Sequence, residues 1–310
     1  FLIQKWGTAR IGAYFGPIIL IWFFTIGALG LWSIIAHPHV LLAVNPYYGI
    51  KFLLTHGVLG FALLGSVFLA VTGGESLYAD IGHFGRIPIR NGWFVVALPC
   101  LLLNYFGQGA ILLVDKSAIA NPFFALTPKV LLYPMVVLAT MAASIASQAV
   151  ITGAFSITRQ AVQLGFLPRL KILHTSSHTI GQIYVPVVNT LLMLATFGLV
   201  VGFGSSSALS AAYGVAVSTT MLITSTLLAI YMKHAWKWPV YKIALTAGVF
   251  LIIDITFWAS TMLKVPHGGW FPLLGGIALF MVMTTWKKGR GLLYDRLRKR
   301  TLSLENFVAS

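Results

Sequence analysis

Eight long runs of apolar residues, each followed by a short polar stretch, set the rhythm of the chain. They lie at Ile11–Ile35, Val58–Tyr78, Trp93–Val114, Val130–Ile157, Val185–Phe203, Leu209–Met232, Ile243–Leu263 and Trp270–Trp286. A helix needs roughly 20 apolar residues to cross the hydrocarbon of a bilayer, so each run predicts one membrane-spanning helix. The fourth run turns polar toward its end, which predicts a helix that continues past the membrane. Two connections, around His37–Lys51 and Asp115–Lys129, are longer than a tight turn. Beyond Trp286 the pattern becomes charged and stays helical. The predicted fold is all-α, a polytopic membrane helix bundle, with no short-period repeat of the solenoid kind.

Composition agrees with the pattern. Of 310 residues, 58% are hydrophobic and 9% charged, and the mean hydropathy is +0.89. A soluble domain needs far more charge to keep its surface wet. The net charge of +15 would suggest nucleic acid in a soluble protein. Here the basic residues sit in the connections, with no basic stripe interleaved with aromatics, so no nucleic-acid partner is expected; the partner is the lipid bilayer.

The cations also orient the chain. Lys5, Arg10, Arg86, Arg90, Arg159, Arg169, Lys171, Lys233, Lys237, Lys242 and the tail cluster from Lys287 to Arg300 fall on one side, seventeen residues in all. Lys51, Lys116, Lys129 and Lys264 fall on the other. Short cytoplasmic loops are enriched in Lys and Arg, so both ends of the chain are expected in the cytoplasm, as eight spans require. Trp32, Trp93, Trp270 and Trp286 fall near span ends, where indole favours the headgroup region. Cys100 is the single cysteine, so no intrachain disulfide and no thiolate metal site are expected. Phe1–Arg10 has no apolar core with a small-residue cleavage site, so no cleavable signal peptide is expected. The absence of an initiating Met predicts a start inside a longer protein.

Chemistry at membrane depth narrows to few residues. Asp80, Asp115, Asp295 and Glu305 lie in connections or at span ends, where solvation explains them. Glu75 and Asp254 lie within apolar runs. A carboxylate there costs several kcal/mol unless it is paired, protonated or facing water, so both are candidate functional groups. The plainer alternative for each is a neutral hydrogen-bonded bridge between helices, with less against it for Asp254, whose neighbours are Ile and Leu. Glu75 follows Thr72, Gly73 and Gly74. Two adjacent glycines weaken a helix, and unwound backbone at membrane depth is tolerated where it lines a cavity, as in cation transporters. Close packing of small residues is the alternative; the glutamate that follows favours the cavity. Asn104, Tyr105, Gln108, Ser144, Ser147, Gln148, Tyr213, Ser218, Thr219, Thr220 and Thr224 add neutral oxygen and amide groups, ligands suited to an alkali cation, though each alone reads as an interhelical hydrogen bond. His174 and His178 lack the glutamate of a zinc-protease helix. No phosphate-binding loop and no nucleophile–base set is present, so neither an enzyme nor a cofactor is expected.

The motifs then resemble one family. Thr72-Gly73-Gly74-Glu75-Ser76-Leu77-Tyr78-Ala79-Asp80-Ile81-Gly82-His83-Phe84-Gly85 closely resembles the signature of Kup/HAK/KT potassium-uptake permeases, T-G-A-E-A-L-Y-A-D-M-G-H-F-G, with Gly74 in place of the usual alanine. Leu103–Ala110, Gly153–Gln160 with Leu167-Pro168-Arg169, Gly181–Pro186, Ala212–Val217 and Gly268–Pro272 resemble further family segments, in the same order. The resemblance implies proton-coupled potassium import on a LeuT-like fold of inverted five-helix repeats. It also implies twelve spans and a cytoplasmic C-terminal domain. This chain would then hold spans five to twelve, residues 1–290, and the start of the cytoplasmic domain, residues 291–310. It would lack the first four spans, which supply an aspartate and a tyrosine to the site. By the same resemblance Val58–Tyr78 is a broken helix, Thr72 and Gly73 contribute to the potassium site, and Tyr213 forms part of its wall. Glu75 serves proton coupling, with Asp254 in support. Location in the cell (inner) membrane follows, and a homodimer is left open. The alternatives are an amino-acid or polyamine permease on the same scaffold and a truncated, non-transporting membrane partner.

Overall fold

The computed structural model describes residues 1, 2, 4, 9–74, 85–174 and 183–300. Eight long helices carry the chain: α1 (Ala9–Ala36), α2 (Pro46–Val67), α3 (Leu98–Val114), α4 (Leu132–Gln163), α5 (Pro186–Phe203), α6 (Ser206–His234), α7 (Val240–Met262) and α8 (Trp270–Arg300). Among the described residues, eight helical segments are long and apolar enough to cross a membrane. The all-α polytopic architecture expected from the apolar pattern is therefore present. The described strands are one short antiparallel pair, β1 (Leu173–His174) with β2 (Ile183–Tyr184).

The start of the second predicted run needs correcting. The helix begins at Pro46 rather than near Val58, and the described helical path runs to Val71; residues 75–78, the end of the predicted run, lie outside the described residues. Most of the supposed loop at His37–Lys51 is thus wound, as a 3-10 stretch Pro38–Val44 and the first turns of α2. Asn45 accepts the Tyr47 N–H at 3.0 Å, and Pro46 supplies a preset helical φ at the helix start. The Lys51 ammonium lies 5.8 Å from the Tyr47 ring centroid. Gly57 sits at φ 47°, ψ −117°, a kink inside α2, and hydropathy alone registers only the part beyond it. The fourth run continues as helix to Gln163, as its polar end predicts.

The chain divides into two compact units. The first comprises Phe1–Gly60, Gly73–Ser156 and Leu173–Tyr184. Its centre is the close pairing of α1 with α3, built on small residues. A Cβ added to Gly30 would lie 2.2 Å from the Leu103 carbonyl oxygen, and one on Gly107 would lie 2.5 Å from Gly30 Cα. Ser33 donates to the Gly107 carbonyl at 3.0 Å. Ile26, Cys100 and Met135 form the adjoining core, covered by Trp22, Phe123 and Phe124. Asp115, in the connection after α3, accepts from Ser117. Those hydrogen bonds hold its carboxyl below the usual carboxylate value.

The second unit comprises Phe61–Thr72, Ile157–Ile172 and Val185–Ser310. Its spine is the antiparallel pair α6–α7, stitched by polar contacts at intervals of seven residues along α6. Ser218 shares a hydrogen bond with Thr261 at 2.7 Å, Ser225 donates to Asp254, and Met232 Sδ accepts from Thr246 at 3.7 Å. Trp258 Nε1 adds a bond to Thr219 at 3.2 Å. A seven-residue period keeps one face of a helix on its partner. Helix α5 ends at Gly204, whose φ of 60° is the left-handed cap glycine favours, and Ser205 then caps α6. The turn into α8 uses Gly268 and Gly269 because it presses on α6: their Cβ atoms would lie 2.7 Å from Ala208 O and 2.6 Å from Val215 Cγ2.

Candidate functional site

The segment after α2 leaves the helical path within five residues. A 3-10 turn covers Phe68–Val71, Thr72 is extended at φ −90°, ψ 171°, and Gly73 follows at φ 104°. That φ is costly for any residue with a Cβ, which gives Gly73 a conformational reason to be glycine. The change of path turns successive carbonyls away from a single helical axis. Thr72 Oγ donates to the Leu69 carbonyl at 2.8 Å. Its only hydroxyl proton is thereby committed, so the oxygen presents lone pairs. A half-buried hydroxyl oxygen beside re-aimed carbonyls is the donor set that a hard monovalent cation takes in place of water.

The part of α2 after its kink at Gly57, the half-helix that leads into this turn, is held by α7. Ser260, fully buried at 0% exposure, accepts the Gly65 N–H at 2.7 Å and donates to the Phe61 carbonyl at 2.7 Å. These two groups are an i, i−4 pair, so the hydroxyl occupies the ladder of the half-helix itself. Gly65 leaves room for it, since a Cβ there would lie 3.0 Å from Ser260 Oγ. Lower on the same face, Phe68 packs on Phe257 with ring centroids 5.2 Å apart. Lys264, in the connection after α7, donates to Ser66 Oγ at 2.7 Å. Burial pulls its ammonium below the ordinary lysine value.

Of the residues singled out from the sequence, Thr72 stands at the end of this half-helix and Tyr213 on α6. The two elements meet next to Tyr213, where a Cβ on Gly214 would lie 3.4 Å from Leu69 Cδ2. The Tyr213 side chain is 45% exposed. Asp254 is 5% exposed and accepts from Ser225 across the α6–α7 pair. The bridging role is thus in place, and one hydrogen bond leaves its carboxyl with further acceptor capacity. Glu75 lies outside the described residues. Asn104 is buried, donates to Ile26 O at 3.4 Å and accepts from Gln108 at 2.7 Å. Gln148 exchanges hydrogen bonds with Gln4. Ser144, Ser147, Thr220 and Thr224 bond to carbonyls of their own helices. The interhelical hydrogen bond expected of such residues is thus present for Asn104, which reaches Ile26 of α1, whereas Ser144, Ser147, Thr220 and Thr224 are satisfied within their own helices.

A cavity of about 560 Å³ opens beside the half-helix, lined in part by Ser66, Leu69, Ser205, Ser207, Lys264 and His267. It offers hydroxyl oxygens near Thr72 and, among the described residues, no carboxylate. The sequence gives no reason to place Ser260 at a site, and Lys264 stands out there only as one of the four cations of the outer connections. One signal was present for their neighbour Thr261, seven residues after Asp254 on the same helix face and opposite Ser218 and Ser225 on α6.

Comparison with known proteins places these features in context. The profile of the K+ potassium transporter integral membrane domain matches residues 1–291. A probable potassium transport system protein Kup of Bdellovibrio bacteriovorus is 54% identical over 307 residues, covering 99% of this chain and 46% of that protein. Proteins of the same description from Chlorobium phaeovibrioides and Chlorobaculum tepidum are 55% and 53% identical, each over 310 residues, covering all of this chain and 48% and 51% of theirs. The chain spans about half the length of the curated relatives it matches. No solved structure matches it.

Proposed function

The chain belongs to the Kup/HAK/KT family of potassium transporters, and on that premise we propose that it forms the larger part of the membrane domain of a secondary-active potassium importer driven by proton symport. Potassium binds, partly dehydrated, at the break of the second span. Thr72 Oγ and the backbone around Gly73 are the ligands, and Tyr213 closes the wall from α6. Glu75 and Asp254 carry proton coupling. The observation that carries the reading is the conformation of Thr72 and Gly73, a hydroxyl with its proton engaged and a glycine at φ 104°, at the start of the segment that resembles the family's signature. Half-helices ending in unwound backbone near the membrane midplane are how transporters hold small cations.

The same reading assigns the cation-rich connections to the cytoplasm of a cell-membrane protein, with residues 291–310 opening its cytoplasmic portion. In the same reading four further helices join these spans to complete a LeuT-like inverted repeat. The test is rubidium uptake at acid pH in cells lacking other potassium importers, comparing this chain alone with a form that carries the upstream helices. Saturable uptake by the longer form only is the expected result. Uptake by neither form moves the function to another substrate, and amino-acid or polyamine uptake without competition by rubidium replaces the potassium reading altogether.

A further inference from the structure

We propose that Ser260 is a positioning residue for the ion site: its hydroxyl, set between the Gly65 N–H and the Phe61 carbonyl, fixes the half-helix that presents Thr72. The inference rests on the potassium reading above and adds to it a residue outside the signature segment. Three observations carry it. Ser260 is completely buried, and its oxygen makes two bonds of 2.7 Å to the two ends of one i, i−4 pair, with Ala62 O a second, longer acceptor at 3.3 Å. Gly65 is the position where the serine backbone also presses in, its added Cβ meeting Ser260 O at 3.2 Å. Thr72 lies seven positions after Gly65 along a helical and 3-10 path, so a change of axis at Gly65 is carried to the ligand.

The hydroxyl does what a buried serine in a helix interface has no need to do. A hydroxyl satisfied within its own helix bonds back to the carbonyl three or four residues earlier, as that of Thr256 does with Ile252. Ser260 instead gives its proton to one carbonyl of another helix and takes the matching N–H. Without it, Phe61 and Gly65 keep only each other as ladder partners, and the half-helix is free to close its ladder and withdraw from α7. Thr72 then moves relative to whatever oxygens complete the ion shell. A shell whose ligand shifts by a few tenths of an ångström loses affinity and discrimination between ions of different radius, while the transport cycle itself survives.

The experiment uses the long form that carries the upstream helices, with Ser260→Ala and Ser260→Cys. The cysteine keeps the volume and offers a weaker donor and acceptor, and it covers the case in which the alanine variant does not fold. In Ser260→Ala the KM for rubidium is expected to rise about tenfold, the scale of one lost hydrogen bond. The maximal rate per folded molecule is expected to stay close to the unsubstituted value, and the preference for rubidium over caesium to narrow. Ser260→Cys is expected to fall between the two. A serine that only stabilises the fold would lower the amount of folded protein and leave KM and ion preference unchanged, and that result in both variants overturns the positioning role while the potassium reading stands. Absence of rubidium uptake by the unsubstituted long form sinks the potassium reading, and the positioning role with it.

Discussion

Gly30→Ala is expected to lower the thermal unfolding midpoint of the detergent-solubilised protein, at a cost of about 3 kcal/mol, the upper end of the overpacking range. The reason is what the new methyl group meets. A Cβ at position 30 would lie 2.2 Å from the Leu103 oxygen, 2.4 Å from its carbonyl carbon and 2.7 Å from the Asn104 nitrogen. All three are backbone atoms of α3, so no side chain can swing aside and the two helices must part. Parting them strips the Ser33 bond to the Gly107 carbonyl and the Asn104 bond to Ile26, at 3.0 and 3.4 Å. Helix pairs in lipid gain little from burying apolar surface, so close backbone approach and interhelical hydrogen bonds carry the association, and both are lost together. Gly198→Ala is the matched control. Nothing lies within 4 Å of its added Cβ, and glycine inside a helix costs about 1 kcal/mol relative to alanine, so that variant should unfold at the same temperature or slightly higher. Equal midpoints for the two variants would mean that the α1–α3 approach is looser than described.

That pair of glycines also shows where sequence reading stops. The spans were legible because a bilayer imposes length and hydropathy on every crossing helix, whatever its neighbours. The second span was misplaced because Tyr47, Tyr48, Lys51 and His56 lower the hydropathy of turns that are helical all the same. Pro46 starts them and Gly57 kinks them. That the chain leaves the helical path at Thr72 and Gly73 agrees with local chemistry, since adjacent glycines disfavour a helix wherever they occur. Asp254 was half legible. Its cost in a membrane demanded a partner, but which residue supplies it depends on the register of α6 against α7, and Ser225 lies 29 positions away. Ser260 was not legible at all. A serine near the end of an apolar helix is unremarkable until the fold brings in the Phe61 carbonyl, 199 positions distant. Gly30 and Gly107 belong with it, because a glycine announces freedom of backbone locally and says nothing of the helix that will exploit it.

Glu75→Gln is expected to abolish acid-stimulated rubidium uptake by the long form, leaving at most a slow flux that no longer responds to pH. Glu75 comes two residues after Gly73, whose φ of 104° turns the chain, within an apolar segment where an ionised carboxylate costs several kcal/mol unless it finds a cation, a proton or water. A group under that demand takes up a proton or a cation whenever the other leaves, which is the exchange a symporter needs. Glutamine keeps the volume and the carbonyl oxygen but never exchanges a proton, so ion binding and proton binding are no longer linked. Asp254→Asn distinguishes the second carboxylate from the first. Asparagine retains an oxygen for the Ser225 hydroxyl, so the α6–α7 pair should survive. If Asp254 serves only as that bridge, uptake and its pH dependence persist in Asp254→Asn. If it shares in proton coupling, the acid stimulation shrinks while the protein stays folded. Acid-stimulated uptake of unchanged rate in Glu75→Gln would remove Glu75 from the coupling mechanism and leave Asp254 as the remaining membrane-depth carboxylate of this chain able to carry it.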